Sequence, residues 1–338
     1  MNRIPFFMIL ITLLTLFSSC SDDKPLKNTK NLQTNISSIA PKTQTTKKLA
    51  YIVTDSSIPF WAIMGRGVKN RADALGYELE IYNAQNSTKL ELELTVKAIK
   101  ESVSGIIVSP STSSACVTIL KLAKGANIPV VISDIGADSS EYVSYISSNN
   151  REGAYNIGQV LAKKMVALGF ETGRVGIIAI PQKRLNGQER TAGFMQAMDE
   201  NTIKGADIKQ LVTWNEEETY NFSKEMIEKY PDLRVIWLQT SNSYNGALRA
   251  IAESGKKDEI LLIAFDAEPE FLELISKGTL VASAMQQPYL MGQEAVSAMD
   301  NHLSGWEVQK NIQLPILSIS TENIVKNLPT IQRNVLGL

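Results

Sequence analysis

Between Leu49 and Phe265 the chain carries seven short runs rich in valine and isoleucine: "LAYIV", "ELEIY", "GIIVS", "PVVIS", "RVGIIAI", "RVIWLQ" and "ILLIAF". Most are apolar throughout rather than at every second residue. A strand that reads this way is buried on both faces, which calls for a parallel sheet covered by helices on each side. The segments between the runs supply those helices, because "FWAIMGRGVKNRADALG", "KLELELTVKAIKES" and "EEETYNFSKEMIEKY" place apolar residues at three-to-four spacing. This βαβ repetition passes through two halves of similar rhythm that meet between Ser148 and Asn149. At 338 residues the chain is longer than the ~250 to 300 that one core usually serves, so two doubly wound, Rossmann-like α/β lobes are expected. Near the end, "LVASAMQQPYLMGQEAVSAMDNHL" adds a strand and an amphipathic helix, and "QLPILSIST" a last extended segment. Such late elements are expected to complete the opposite lobe.

The first 20 residues read as an export signal: Arg3, an apolar run from Ile4 to Phe17, then Ser18, Ser19 and Cys20. The run is shorter than the ~20 residues a membrane-spanning helix needs. A small-residue pair leading into one cysteine resembles a bacterial lipoprotein signal, with Phe17 standing where leucine is usual. Cys20 is therefore the expected lipidation site, and the protein is expected on the periplasmic or cell-surface side of a bacterial membrane. Residues 21–48 are polar, without periodicity, and read as a disordered tether reaching roughly 30 Å.

Several functions find no support in the residues. Lysine plus arginine number 34 against 35 aspartates plus glutamates, with no basic stripe, so nucleic acid has no electrostatic footprint. The single histidine, His302, lies on the late amphipathic helix and reads as a surface residue. No "GxSxG" occurs, and Cys116 reads as a small buried side chain. "GRGVK" lacks the ending of a phosphate loop, and "NEEE" from Asn215 reads as a negatively charged helix start. Neither an enzyme, a metal site nor a cofactor is expected; a glycosidase would need two carboxylates at the right spacing.

Ligands of open parallel sheets bind beyond the carboxyl ends of the strands. Residues at those places are Asp55, Phe60 and Trp61 after the first strand, Ser109 after the third and Asp134 after the fourth. The second half contributes Gln188, Arg190, Trp214, Thr240, Asp266 and Gln286. Carboxylates and amides that pair with hydroxyls, beside ring faces that cover C–H surface, suit a neutral, hydroxyl-rich ligand. Asp134 and Asp266 could instead cap the helices that follow them, and Phe60 or Trp61 could be core. Trp237 reads as core, and Trp306 as a turn residue without a role.

Taken in order, "IPFWAIMGRGVKNRADALGYEL", "GIIVSPSTSSA", "ANIPVVISD", "RTAGF", "YPDLRVIWLQTSNSYNGALRAI" and "LLIAFDAEPE" resemble the periplasmic sugar-binding proteins of the ribose-binding type. These have the type I periplasmic binding fold, shared with the ligand domains of lactose-repressor-like regulators. The resemblance spans about Leu49 to Asn327. It implies two lobes joined by three hinge crossovers near Ser148, Gln286 and Leu314, the first lobe being 49–148 plus 287–313 and the second 149–286 plus 314–338. Phe60, Trp61 and Trp214 match ring faces against the sugar; Ser109, Asp134, Asp266 and Gln286 match hydrogen-bonding positions. Ile58, Ile135, Gln188 and the Thr240–Ser241 pair depart from the family's usual asparagine, two arginines and Asn-Asp. Two guanidinium donors would thus be missing, which argues against ribose itself and for a smaller or more apolar polyol or a modified sugar. The implied partners are a sugar or polyol and an ABC permease, or alternatively a membrane sensor kinase or chemoreceptor. A monomer is expected, and the export signal with no helix-turn-helix ahead of the lobes excludes a transcriptional regulator.

Overall fold

The computed structural model describes residues 47–338. The signal segment, Cys20 and nearly all of the expected tether lie outside the described residues. In chain order the first stretch comprises β1 (Lys48–Val53), α1 (Pro59–Ala74), β2 (Glu78–Asn83), α2 (Thr88–Lys100), β3 (Gly105–Ser109), α3 (Ser113–Gly125), β4 (Val130–Ser133) and β5 (Ser144–Ser148). The second comprises α4 (Asn150–Leu168), β6 (Arg174–Ala179), α5 (Leu185–Glu200), β7 (Lys204–Gln210), α6 (Glu216–Lys229), β8 (Leu233–Leu238), α7 (Tyr244–Glu253), β9 (Leu261–Phe265), α8 (Phe271–Ser276) and β10 (Ala282–Met285). The chain ends with α9 (Pro288–Leu303), β11 (Asn311–Leu314), β12 (Leu317–Ser320), α10 (Ile324–Thr330) and a π-helical turn (Ile331–Leu336). Lys48, expected in the tether, opens β1, where its ammonium meets the Glu101 carboxylate at 2.7 Å.

Two six-stranded sheets result, ordered β11-β5-β4-β3-β1-β2 and β12-β10-β9-β8-β6-β7. Every pairing is parallel except that of β10 with β12. These are the two doubly wound lobes of the type I periplasmic binding fold. The uniformly apolar strands explain the layering, because successive residues supply opposite faces. In β1, Leu49, Tyr51 and Val53 join one apolar cluster while Ala50 and Ile52 join another. In β9, Ile263 and Phe265 pack on one side and Leu262 and Ala264 on the other. Trp237 is fully buried and stacks on Phe194 with ring centroids 3.8 Å apart. Cys116 is buried and burial pushes its thiol pKa up, so it is an inert core group.

Four helix starts are set by short polar side chains. Ser87, Thr112, Asn149 and Asn215 each accept a hydrogen bond from a backbone N–H one turn into α2, α3, α4 and α6. Helix α9 returns to the first lobe and crosses α1 so closely that a Cβ at Gly292 would lie 2.3 Å from the Met64 carbonyl, and one at Gly67 would lie 2.2 Å from that of Tyr289. Only glycine permits this approach at both positions.

The chain passes between the sheets three times: from β5 to α4, from β10 to α9 and from β11 to β12. These passages bond to one another. The Asn149 N–H donates to the Leu314 carbonyl at 3.0 Å, and Gln287 Nε2 donates to the Pro315 carbonyl at 2.8 Å.

Candidate ligand-binding site

A cavity lies between the carboxyl ends of the two sheets, lined by Ile58, Phe60, Trp61 and Asp134 from the first lobe. The second lobe adds Ile180, Arg184, Asn186, Arg190, Trp214, Thr240, Asp266 and Gln286. The centre of a water-sized sphere can occupy about 30 Å³ of it. Adding back that sphere's radius of ~1.4 Å gives an envelope on the order of 150 Å³, room for one six-membered ring.

On the first lobe, Trp61 serves core and wall together. It is buried against Met64 and its neighbours, while its indole Nε1 donates to Asp134 Oδ2 at 3.2 Å. Phe60 meets it edge-on, with centroids 6.1 Å apart. Asp134 follows β4 at φ 66°, a left-handed conformation that aspartate tolerates. Burial first, and the Asp266 carboxylate with it, push its pKa up to about 6 against the opposing pull of Arg190, Arg184 and the indole.

On the second lobe, Asp266 follows β9 at φ 68° and accepts from Gln286 Nε2 at 2.6 Å. Its other oxygen lies 3.6 Å from Arg190 Nη1. Arg190 is anchored through two of its nitrogens and one ring face: Nε donates to Asn150 Oδ1 at 2.9 Å, Nη1 to the Gln239 carbonyl at 2.7 Å, and the guanidinium lies 3.8 Å from the centre of the Phe265 ring. Trp214 has φ 62°, a strained value for a bulky residue. Glu218 holds it there by accepting the N–H groups of Val212, Thr213 and Trp214. The Trp214 carbonyl is bound by Asn242 and Ser243.

Eight of the residues proposed from sequence meet at this cavity: Phe60, Trp61, Asp134, Arg190, Trp214, Thr240, Asp266 and Gln286. Two do not. Ser109 is fully buried behind the wall, its hydroxyl 3.0 Å from the Tyr51 hydroxyl and 2.8 Å from that of Ser133, because the last residue of β3 still points into the lobe interior. Gln188 is exposed and donates to the Gln182 carbonyl. Two residues along a helix turn about 200°, so with Arg190 facing in, Gln188 faces out. Asp55 binds Ser57 in a turn, and His302 and Trp306 are exposed.

Sequence reasoning missed Ile180, Arg184 and Asn186, and Arg184 makes good one of the two guanidinium donors expected to be missing: with Arg190, already proposed, two guanidiniums line the cavity. Arg184 immediately precedes α5 with extended backbone, φ −95° and ψ 133°, and its side chain runs into the cavity. Its place just beyond β6 was the available signal.

The periplasmic binding protein domain model matches residues 49–307. The chain belongs to the periplasmic binding protein family. This family member is 29% identical over 292 residues to the ribose import binding protein of Escherichia coli K12, covering 83% of this chain and 95% of that one. Its fold is similar to that of an ABC transporter periplasmic solute binding protein from Actinobacillus succinogenes with bound D-allose, at TM-score 0.77, 21% identity and coverage of 83% and 100%. It is likewise similar to a carbohydrate transporter solute binding protein from Agrobacterium radiobacter in complex with D-arabinose, at TM-score 0.79, 21% identity and coverage of 87% and 100%. The ribose-type resemblance and the type I fold expected of this binding protein are thus borne out.

Proposed function

We propose that this protein captures one neutral monosaccharide between its lobes and delivers it to an ABC importer. The observation that supports this reading is the single-ring cavity walled by Trp61 and Asp134 from one lobe and by Trp214, Asp266 and two arginines from the other. Carboxylates accept hydroxyl protons, guanidinium and amide N–H groups donate to sugar oxygens, and indole faces cover C–H surface. Neither lobe alone desolvates a sugar, so closure accompanies binding and an importer that reads the closed form reads occupancy. The relatives named for import favour an importer over a sensor as partner. A thermal-shift screen of pentoses, hexoses and polyols tests the reading. A ligand at 100 times its Kd adds about 2.7 kcal/mol, and no shift with any monosaccharide refutes it.

Lipid anchoring at Cys20 is part of the proposal and rests on the signal-like segment before it. Palmitate labelling of the wild type, lost in Cys20→Ala together with membrane association, is expected. An unlabelled, soluble wild type contradicts the anchor.

A further inference from the structure

Arg184 differs from every other charged group on the cavity wall in how little of it the protein uses. It is 5% exposed, yet Nε has no hydrogen-bond partner among the described residues. Its recorded hydrogen bond is a long one, from Nη2 to Asn86 Oδ1 at 3.5 Å. The guanidinium carbon lies 5.9 Å from the centre of the Trp61 ring and 5.1 Å from that of Trp214. A guanidinium carries five N–H donors, and burying even one of them without a partner is costly. Arg190, by contrast, has Nε and Nη1 bound by Asn150 and Gln239 at 2.9 and 2.7 Å and its charge beside Asp266.

The chemistry of what would satisfy Arg184 follows from the charges around it. Asp134, Asp266, Arg184 and Arg190 set two carboxylates against two guanidiniums. A sugar acid or sugar phosphate would bring a buried anion into a wall that is already balanced. A neutral sugar adds no charge, and two neighbouring oxygens on it match the parallel N–H groups of a guanidinium edge. The carboxylates then take hydroxyl protons elsewhere on the ring.

Resting on the monosaccharide reading above, we infer that Arg184 is the residue that selects the ligand, donating two parallel hydrogen bonds to a pair of neighbouring oxygens on a neutral sugar. Because it spans from α5 to Asn86 and Trp61 of the opposite lobe, the same side chain ties recognition to the closed arrangement.

The test is calorimetric titration of the full chain with D-ribose, D-allose and D-arabinose, with 2-deoxy-D-ribose and other deoxy analogues of whichever sugar binds, and with D-glucuronate. Wild type that binds no sugar at all refutes the monosaccharide reading before Arg184 is in question. Given binding, Arg184→Met is expected to weaken the parent sugar about 10- to 100-fold and to shrink the preference over one deoxy analogue. Arg184→Lys, which keeps the charge and loses the fork, is expected to lose that preference too, and serves alone if the methionine variant does not fold. Parent-sugar affinity within about threefold of wild type in both variants overturns the inference. Weakening with every deoxy preference unchanged also overturns it, because Arg184 would then act on closure alone. Tighter binding of D-glucuronate than of any neutral sugar overturns the assigned ligand class.

Discussion

Asp134 and Asp266 are counterparts in the two lobes. Each is the residue after a central strand, each lies in the left-handed region at φ 66° and 68°, and each donates its backbone N–H to the next strand, to Ile146 at 3.0 Å and Ala284 at 2.8 Å. Their carbonyls are held alike, by the Tyr145 hydroxyl and the Ser283 hydroxyl. The left-handed step ends the strand and turns the carboxylate toward the cleft, so the cavity has one fixed acceptor from each side. Their second partners differ, since Asp266 faces Arg190 and Asp134 faces an indole N–H.

That difference predicts unlike mutants. Asp134→Asn keeps the backbone preference and is expected to weaken sugar binding at least about tenfold with little loss of stability. Asp266→Ala leaves Arg190 buried without its counter-charge and is expected to cost about 3 kcal/mol or more of folding free energy besides the loss of binding. Titration calorimetry with urea denaturation reads both quantities. Equal, small stability changes would contradict the assignment of Arg190 to Asp266.

Burial shapes the pH response. Asp134 rises from 3.8 to about 6, and Glu91, buried in α2 where it accepts from Ser111, rises from 4.5 to about 7, desolvation leading in both. The folded chain therefore holds protons that the unfolded chain releases between about pH 4 and 7. Stability falls as pH rises through that window and levels above it, by about 3 kcal/mol per group at most. Denaturant midpoints are expected to be higher at pH 5.5 than at 7.5, with a flatter dependence in Glu91→Gln. Sugar affinity runs the other way below about pH 6, because a protonated Asp134 is a poorer acceptor. A midpoint that climbs with pH and ignores Glu91→Gln would refute this account.

The α1–α9 crossing has no room for a methyl group. Gly292→Ala is expected to destabilise by at least about 2 kcal/mol, whereas Ala at exposed Gly125, where an added Cβ meets nothing within 4 Å, is expected to be neutral or better. Thermal melts of the two variants decide, and matching melting temperatures would show that the helices can separate freely.

Closure is measurable by small-angle scattering of the same chain with and without its sugar. The radius of gyration is expected to fall on binding. Tight binding at constant radius would mean that the lobes stay as they are and that the importer recognises something other than closure.

Much of this was legible beforehand. The runs "GIIVS" and "ILLIAF" became β3 and β9 because doubly buried strands have an unmistakable composition. The short, more polar β5 and the edge strand β7 left no such mark, since "KGADIKQ" buries little and pairs only with β6. Asp134, Asp266 and Trp214 could be read from their place after strands. Arg184 could not be separated from its neighbours that way, because its role depends on the turn from Pro181 that aims residue 184 inward and rotates Gln188 out.

The late return of α9 and β11 to the first lobe sets an order on assembly. As the polypeptide lengthens from its N-terminus, the second lobe gains nearly its whole parallel sheet before the first gains its final helix and edge strand. Until then Met64, Val68 and Tyr51 lack the covering methionines and alanines of α9. The lobe begun first thus waits on residues 288–314 for its covering helix and edge strand, and a nascent or truncated chain ending before residue 288 would display a sticky apolar sheet face rather than a half-protein.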